Sequence, residues 1–172
     1  MKKVVVIGGS GFIGSHTADE LSKLGYSVTI FDRRPSPWLR ADQNMIEGDI
    51  LDVDSLGLGL KNADIVYHFA GVSDINEASD RPLDAINLNI MGTASVLDAV
   101  SKLKVERFVY ASTMYVYSSY GSFYRATKQS AETLIEAYYE KVGLEYTLLR
   151  YGSLYGPRAQ DWNGLRGYVR QV

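Results

Sequence analysis

The chain has 172 residues, a length that fits one compact domain, and its charges nearly balance, with 18 lysine and arginine residues against 20 aspartate and glutamate residues. This balance excludes a large cationic surface, so we expect no nucleic-acid partner. The absence of cysteine excludes disulfides and Cys-based zinc sites. No segment has the length of a membrane span. We therefore expect a cytoplasmic protein with no membrane partner and no metal site.

The predicted elements alternate between short apolar runs and longer amphipathic stretches, a pattern typical of parallel strands joined by crossover helices. Strands are predicted at residues 4–7, 27–31, 45–46, 64–69, 107–112 and 146–149, and helices at residues 12–24, 82–102 and 123–142, with a loop over 33–43. The sequence thus predicts an α/β fold of Rossmann type: a doubly wound parallel sheet with helices on both faces.

The composition changes at the carboxyl-terminal end of the chain. From Arg150 onward there are four arginines against one acidic residue, Asp161, and a helix predicted over 164–172 has no ending signal. We assign residues 1–150 to one domain and expect residues 151–172 to begin a C-terminal substrate-binding part that is largely missing.

The strongest local signal is the glycine-rich segment 8–14, Gly-Gly-Ser-Gly-Phe-Ile-Gly, between the first strand and the first helix. Glycines permit a tight turn and let a pyrophosphate approach the backbone, while the helix N-terminus favours an anion. Asp32 ends the second strand, where a carboxylate can accept from both adenosine ribose hydroxyls and repel a 2′-phosphate. We therefore expect NAD as the cofactor. NADP stays open as a less favoured cofactor, because Arg33 or Arg34 could bind its 2′-phosphate. The alternative for Asp32 is that it only begins a turn.

A second pattern places Tyr124 and Lys128 four positions apart on one face of the last predicted helix. A phenol with a pKa of about 10 is a poor base at neutral pH, but a neighbouring ammonium and a positive nicotinamide ring favour the phenolate. The tyrosine could then take a hydroxyl proton while hydride leaves the same carbon. The alternative is that this Tyr–Lys spacing arises by chance, since the chain has 13 tyrosines. Ser112 and Thr113 lie at a strand end, where a hydroxyl either bonds the reacting oxygen or caps a turn.

With these residues the chain resembles the extended short-chain dehydrogenase/reductases, in particular the N-terminal part of the NAD-dependent epimerase/dehydratase family and its UDP-galactose/UDP-glucose 4-epimerases. The segments that carry the resemblance are 8–17, 48–50, 68–71, 89–93, 113–117, 124–128 and 150–157. The resemblance implies that Tyr124 is the general base, that Thr113 bonds the substrate hydroxyl, and that Lys128 holds the nicotinamide ribose and lowers the pKa of the tyrosine.

The resemblance also implies a cofactor site and a substrate site. The implied cofactor-binding residues are Gly8, Gly11, Phe12, Ile13, Gly14, Asp32, Arg33, Asp49, Ile50, Phe69, Ala70, Gly71, Asn89, Tyr124 and Lys128. The candidate substrate residues are Ser73, which stands where epimerases of the family often have a lysine, and Ser153, which stands where an asparagine commonly meets the substrate. The resemblance implies that this substrate is a nucleotide sugar. It further implies a homodimer through the helices over 82–102 and 123–142.

The function that the resemblance favours is NAD-dependent epimerisation, in which a sugar C4 hydroxyl is oxidised to a ketone and then reduced. Met114 and Tyr115 stand where dehydratases of the family carry an acid, so an epimerase ranks above a dehydratase. A keto-sugar reductase using NAD(P) stays open. So does a non-catalytic dinucleotide-binding module, because Tyr124 follows Thr113 by only 11 positions, fewer than the family usually has.

Overall fold

The computed structural model describes residues 1–160. Their six strands form one parallel sheet, which helices cover. The strands are β1 (Lys3–Ile7), β2 (Ser27–Asp32), β3 (Gln43–Glu47), β4 (Ile65–His68), β5 (Arg107–Thr113) and β6 (Tyr146–Tyr151). The helices are α1 (Phe12–Lys23), α2 (Val53–Gly59), α3 (Ile75–Asp80), α4 (Pro82–Ile86), α5 (Thr93–Lys102) and α6 (Ser122–Val142). The strand order β3-β2-β1-β4-β5-β6 is that of a dinucleotide-binding fold built from two βαβαβ halves.

The sheet is covered on both faces, as the alternation along β1 shows. Val4 and Val6 belong to an apolar cluster with α1, whereas Val5 and Ile7 belong to a larger cluster with α5 and α6. Because successive side chains of a strand point to opposite faces, a strand that is apolar throughout must be buried on both. The predicted doubly wound α/β fold is confirmed.

The helix predicted over 82–102 begins as expected, with Pro82 in its first turn, but it is not one regular α-helix. A π-helical turn, Asn87–Gly92, separates α4 from α5. Such turns hold one extra residue and occur frequently at functional sites. Here the turn carries Asn89, whose buried side chain bonds the backbone of Val72.

Two short helices, α2 and α3, were not predicted. Each is capped by an aspartate: Asp52 accepts from the amide of Asp54 (3.1 Å), and Asp74 accepts from the amide of Glu77 (2.8 Å). Helices of seven and six residues are too short to show a hydrophobic period. The spacing of Asp74 and Glu77 resembles a capping box and was the available signal.

The chain continues past β6 and returns to α1. His16 Nε2 lies 2.9 Å from the carbonyl oxygen of Pro157, and Arg158 pairs with Asp19 at 2.8 Å. The predicted helix over 164–172 lies outside the described residues. Within residues 1–160 none of the helices combines the length and apolar character needed to cross a bilayer.

Candidate functional site

A cleft of about 1400 Å³ opens along the carboxyl ends of the strands, where ligands of open α/β sheets bind. It brings together most of the residues singled out from the sequence: Gly8, Gly11, Phe12, Ile13, Gly14, Asp32, Arg33, Ile50, Phe69, Ala70, Gly71, Ser73, Thr113, Tyr124, Lys128 and Ser153. The glycine turn and Asp32 follow β1 and β2, while Thr113, Tyr124 and Lys128 gather at β5 and α6. One cleft therefore joins both predicted motifs.

The glycine turn packs too closely for side chains at three of its positions. A Cβ on Gly8 would lie 2.6 Å from the backbone nitrogen of Ala70, one on Gly9 would lie 2.7 Å from Cγ2 of Ile30, and one on Gly14 would lie 2.2 Å from the carbonyl oxygen of Gly8. A Cβ on Gly11 would meet only that same oxygen, at 3.3 Å, so its other side is open. Among the described residues no side chain caps α1, whose N-cap is Gly11. The first amides of α1 thus remain able to hold an anion.

Asp32 joins the glycine turn to the loop after β2. Its Oδ2 accepts from the amide of Ser10 at 3.0 Å and its Oδ1 from the amide of Arg34 at 3.2 Å. The Ser10 hydroxyl donates back to the Arg34 carbonyl at 2.7 Å. Because a carboxylate has about four acceptor positions, these two bonds leave it able to accept from ribose hydroxyls. Arg33 points instead toward Asp49, with 4.0 Å between Nη1 and Oδ2.

Two predicted cofactor residues, Asp49 and Asn89, do not line the cleft. Asp49 accepts from the amide of Leu51 at 2.9 Å and places its neighbour Ile50 in the cleft wall. Asn89 is 1% exposed and accepts from the amide of Val72 at 2.8 Å. It also donates to the carbonyl of Val72 and to Thr127 Oγ1, both at 3.0 Å. Asn89 therefore fixes the segment after β4 against α6.

Tyr124 and Lys128 lie one turn apart on the buried face of α6, as their spacing predicts. Thr113 acts to lower the pKa of the Tyr124 phenol, but burial of the ring is the larger effect and raises that pKa. Lys128 Nζ donates to the carbonyl of Ala111 at 2.8 Å and lies 4.7 Å from the centre of the Tyr110 ring. Burial lowers the pKa of Lys128 to about 8.

The resemblance implies that Lys128 lowers the pKa of Tyr124. In this structure burial of the phenol is the largest influence, and it raises that pKa above its usual value. The ammonium lies 6.0 Å from the centre of the Tyr124 ring and bonds a carbonyl instead. A lowered phenol pKa therefore needs further positive charge beside the ring.

An ion pair that sequence reasoning missed lies directly behind this group. Arg150 donates two hydrogen bonds to the carboxylate of Glu132, from Nε at 3.0 Å and Nη2 at 2.8 Å, and Ser112 Oγ also donates to Glu132. The spacing of Lys128 and Glu132, four positions on one helix, was a signal for the carboxylate. Nothing local points to Arg150, which reaches it only because it pairs with Ser112 across β5 and β6.

Comparison with known proteins agrees with the family resemblance that the sequence motifs indicate. A model of the NAD dependent epimerase/dehydratase family matches residues 4–170. A UDP-N-acetyl-alpha-D-glucosaminuronate decarboxylase of Bacillus cytotoxicus is 33% identical in an alignment of 184 positions that covers 93% of this chain and 57% of that protein.

Solved structures are similar over the same region. UDP-glucose 4-epimerase of Thermotoga maritima with UDP-glucose matches with a TM-score of 0.86 and 28% identity, over 93% of this chain and 58% of that one. UDP-glucose 4-epimerase of Thermus thermophilus in complex with NAD matches with a TM-score of 0.87 and 26% identity, over 94% and 58%. The chain thus spans less than two thirds of the length of each of these relatives.

The glycine turn before α1 and the Tyr124/Lys128 pair on α6 are among the features on which the resemblance was based. The family match over 4–170 confirms that resemblance. The chain belongs to the NAD dependent epimerase/dehydratase family.

Proposed function

We propose that the chain binds NAD in the cleft and takes part in the NAD-dependent epimerisation of a nucleotide sugar. The observation that carries the proposal is that one continuous cleft joins the glycine turn and Asp32 to Thr113, Tyr124 and Lys128. A dinucleotide that binds with its diphosphate at the glycine turn would extend toward the second group. The same cleft would then hold the sugar beside Tyr124.

The residues present fit the cofactor. The open side of Gly11 and the uncapped N-terminus of α1 suit a diphosphate, and Asp32 suits the adenosine ribose. Ile50 would contact the adenine, and Gly71 would lie along the nicotinamide ribose, which Lys128 would bond. When bound, NAD would supply the hydride acceptor and a positively charged ring that favours the Tyr124 phenolate.

The proton chemistry belongs to the chain's own residues. As a phenolate, Tyr124 takes the proton of a substrate hydroxyl and later returns it. Thr113 orients that hydroxyl. With a pKa of about 8, Lys128 is mainly charged at neutral pH and favours the phenolate across the 6.0 Å to the Tyr124 ring.

The reaction that we favour interconverts C4 epimers through a keto sugar. The two similar structures named above are 4-epimerases, one with UDP-glucose and one with NAD, which supports a UDP-sugar as substrate. Met114 and Tyr115 line the cleft after Thr113 and offer no carboxylate for an elimination, so a dehydratase ranks lower. A keto-sugar reductase and a non-catalytic binding module are the other candidates.

The experiment is to incubate the natural protein with NAD and UDP-glucose and to measure UDP-galactose. We expect interconversion without net consumption of cofactor, and Tyr124→Phe abolishes it while NAD still binds. Tyr120→Phe is the matched control, because Tyr120 is 78% exposed. Full activity of Tyr124→Phe would refute the assignment of the base. Net oxidation of NADH with a keto sugar would indicate a reductase, and NAD binding without turnover would indicate a binding module.

We also propose that the protein forms a homodimer through α4, α5 and α6. Leu83 on α4 is 77% exposed, Met91 in the π-helical turn 55%, and Tyr139 on α6 47%. Apolar side chains exposed on neighbouring helices are typical of an interface. Light scattering tests this proposal: we expect twice the chain mass, and Leu83→Glu with Tyr139→Glu should give the monomer.

A further inference from the structure

Glu132 lies one turn after Lys128 on the buried face of α6 and is 7% exposed. Its carboxylate accepts three hydrogen bonds, two from Arg150 on β6 and one from Ser112 on β5. Burial raises the pKa of Glu132, but the bonds from Arg150 and Ser112 outweigh burial and hold it below its usual value. The group is therefore a fully bonded carboxylate inside the protein.

These bonds connect the elements that carry the candidate catalytic group. Ser112 directly precedes Thr113 on β5, and Arg150 on β6 is paired with Ser112 in the β5–β6 register. Arg150 also bonds the hydroxyl of Tyr117 and lies 4.9 Å from the centre of that ring. The carboxylate thus fixes α6 against the ends of both strands, and Arg150 extends the contact to the short 3₁₀ helix Met114–Tyr117.

The charges of the pair act unequally on Lys128. The side chain of Glu132 is 10% exposed and that of Arg150 is 32% exposed, so water screens the guanidinium more than the carboxylate. Glu132 raises the pKa of Lys128 against the larger effect of burial, which lowers it. The carboxylate is thus the group that opposes loss of the ammonium charge.

Other titratable groups face the ammonium from the sheet. Tyr110 on β5 lies beneath it, and burial raises the pKa of this phenol far enough to keep it neutral. His68 on β4 is fully buried, and burial lowers its pKa to about 3, so it is neutral as well. Tyr124 on α6 is a neutral phenol until it loses its proton. Glu132 is the one anion at neutral pH among these described neighbours of Lys128.

We propose that Glu132 is a positioning residue for the candidate catalytic group: it keeps Lys128 charged and holds the strand end that carries Thr113. Arg150 and Ser112 keep the carboxylate ionised and fixed in place. The role rests on the proposed function, because the charge of Lys128 matters for chemistry only if Tyr124 acts as a base. The physical effect on Lys128 can be measured without turnover.

The experiment is an NMR titration of the full chain with isotope-labelled lysine, in which Lys128→Arg identifies the Lys128 side-chain signal. Glu132→Gln should lower the pKa of Lys128 by about one unit or more. Glu136→Gln is the control, because it removes an exposed carboxylate from the next turn of α6. This variant should leave the Lys128 titration close to that of the unmodified protein.

A second variant covers the case in which Glu132→Gln alone does not fold. Glu132→Gln with Arg150→Gln removes both charges, and it should lower the Lys128 pKa by a smaller amount. An unchanged Lys128 titration in a folded variant overturns the inference. In the natural protein, the loss of turnover at alkaline pH should begin at lower pH for Glu132→Gln, an effect that a purely structural role would not produce.

The two proposals fail in different ways. If Lys128 titrates normally in Glu132→Gln, the role of Glu132 is wrong while the result for Tyr124→Phe stands. If the protein binds no dinucleotide, the proposed function is wrong, and the lysine titration still reports whether Glu132 supports the ammonium.

Discussion

Replacing Asn89 by alanine removes an amide that joins three parts of the protein. The side chain lies in the π-helical turn, accepts from and donates to the backbone of Val72, and donates to Thr127 on α6. Val72 is 6% exposed and Asn89 is 1% exposed. Water therefore cannot easily replace the lost partner, and two backbone groups of Val72 are left without it.

The size of the effect follows from these contacts. Each buried hydrogen bond contributes about 1 kcal/mol net, and leaving a buried group unpaired costs about 1–3 kcal/mol. Three such bonds predict that Asn89→Ala lowers the free energy of unfolding by about 3 kcal/mol. The segment from Gly71 to Ser73 lies at the cleft, so dinucleotide affinity should fall as well.

The assay is urea denaturation followed by circular dichroism, with the slope checked for a change in surface exposed. Asn87→Ala is the matched control, because Asn87 lies exposed in the same π-helical turn, and it should leave stability nearly unchanged. A loss smaller than about 1 kcal/mol for Asn89→Ala, or equal losses for the two variants, would refute the reasoning.

Two further predictions concern the cleft. A Cβ on Gly14 would lie 2.2 Å from the Gly8 carbonyl oxygen, so Gly14→Ala should weaken NAD binding in calorimetry at least about tenfold, or about 1.4 kcal/mol; Gly57→Ala, with nothing within 4 Å, should not. Lys128→Met tests the burial of the ammonium, whose pKa falls from 10.5 to about 8. In the folded chain Lys128 loses its proton at lower pH than in the unfolded chain. The free energy of unfolding of the unmodified protein, measured relative to that of Lys128→Met, should therefore rise by about 3 kcal/mol between pH 8 and pH 10.5. A difference between the two proteins that does not change with pH would contradict this.

The sequence predicts those motifs whose functional residues lie close together along the chain. The glycine turn and Asp32 depend on neighbours within one βαβ unit, and their positions at the ends of β1 and β2 follow from two apolar runs. Tyr124 and Lys128 share a face because they lie on one helix. Their assembly in one cleft follows from the strand order, which brings parallel strand ends to one edge.

What the sequence does not predict depends on contacts between distant positions. Asn89 looks like a cofactor residue, but it is bonded to Val72 and Thr127, 17 and 38 positions away. The Glu132–Arg150 pair needs the register of β5 with β6, which periodicity cannot supply. The raised pKa of Tyr124 is likewise a consequence of burial, a property of the packed structure.

The central claim is that the glycine turn and Asp32 hold NAD, and calorimetric titration of the folded chain with NAD tests it most directly. We expect one NAD per chain, weaker binding of NADP, and loss of most of the NAD affinity in Asp32→Asn. Asp42→Asn, at an exposed surface pair, should bind as the unmodified protein does. Absence of binding by either nucleotide, or equal affinity of Asp32→Asn and the unmodified protein for NAD, would contradict the account.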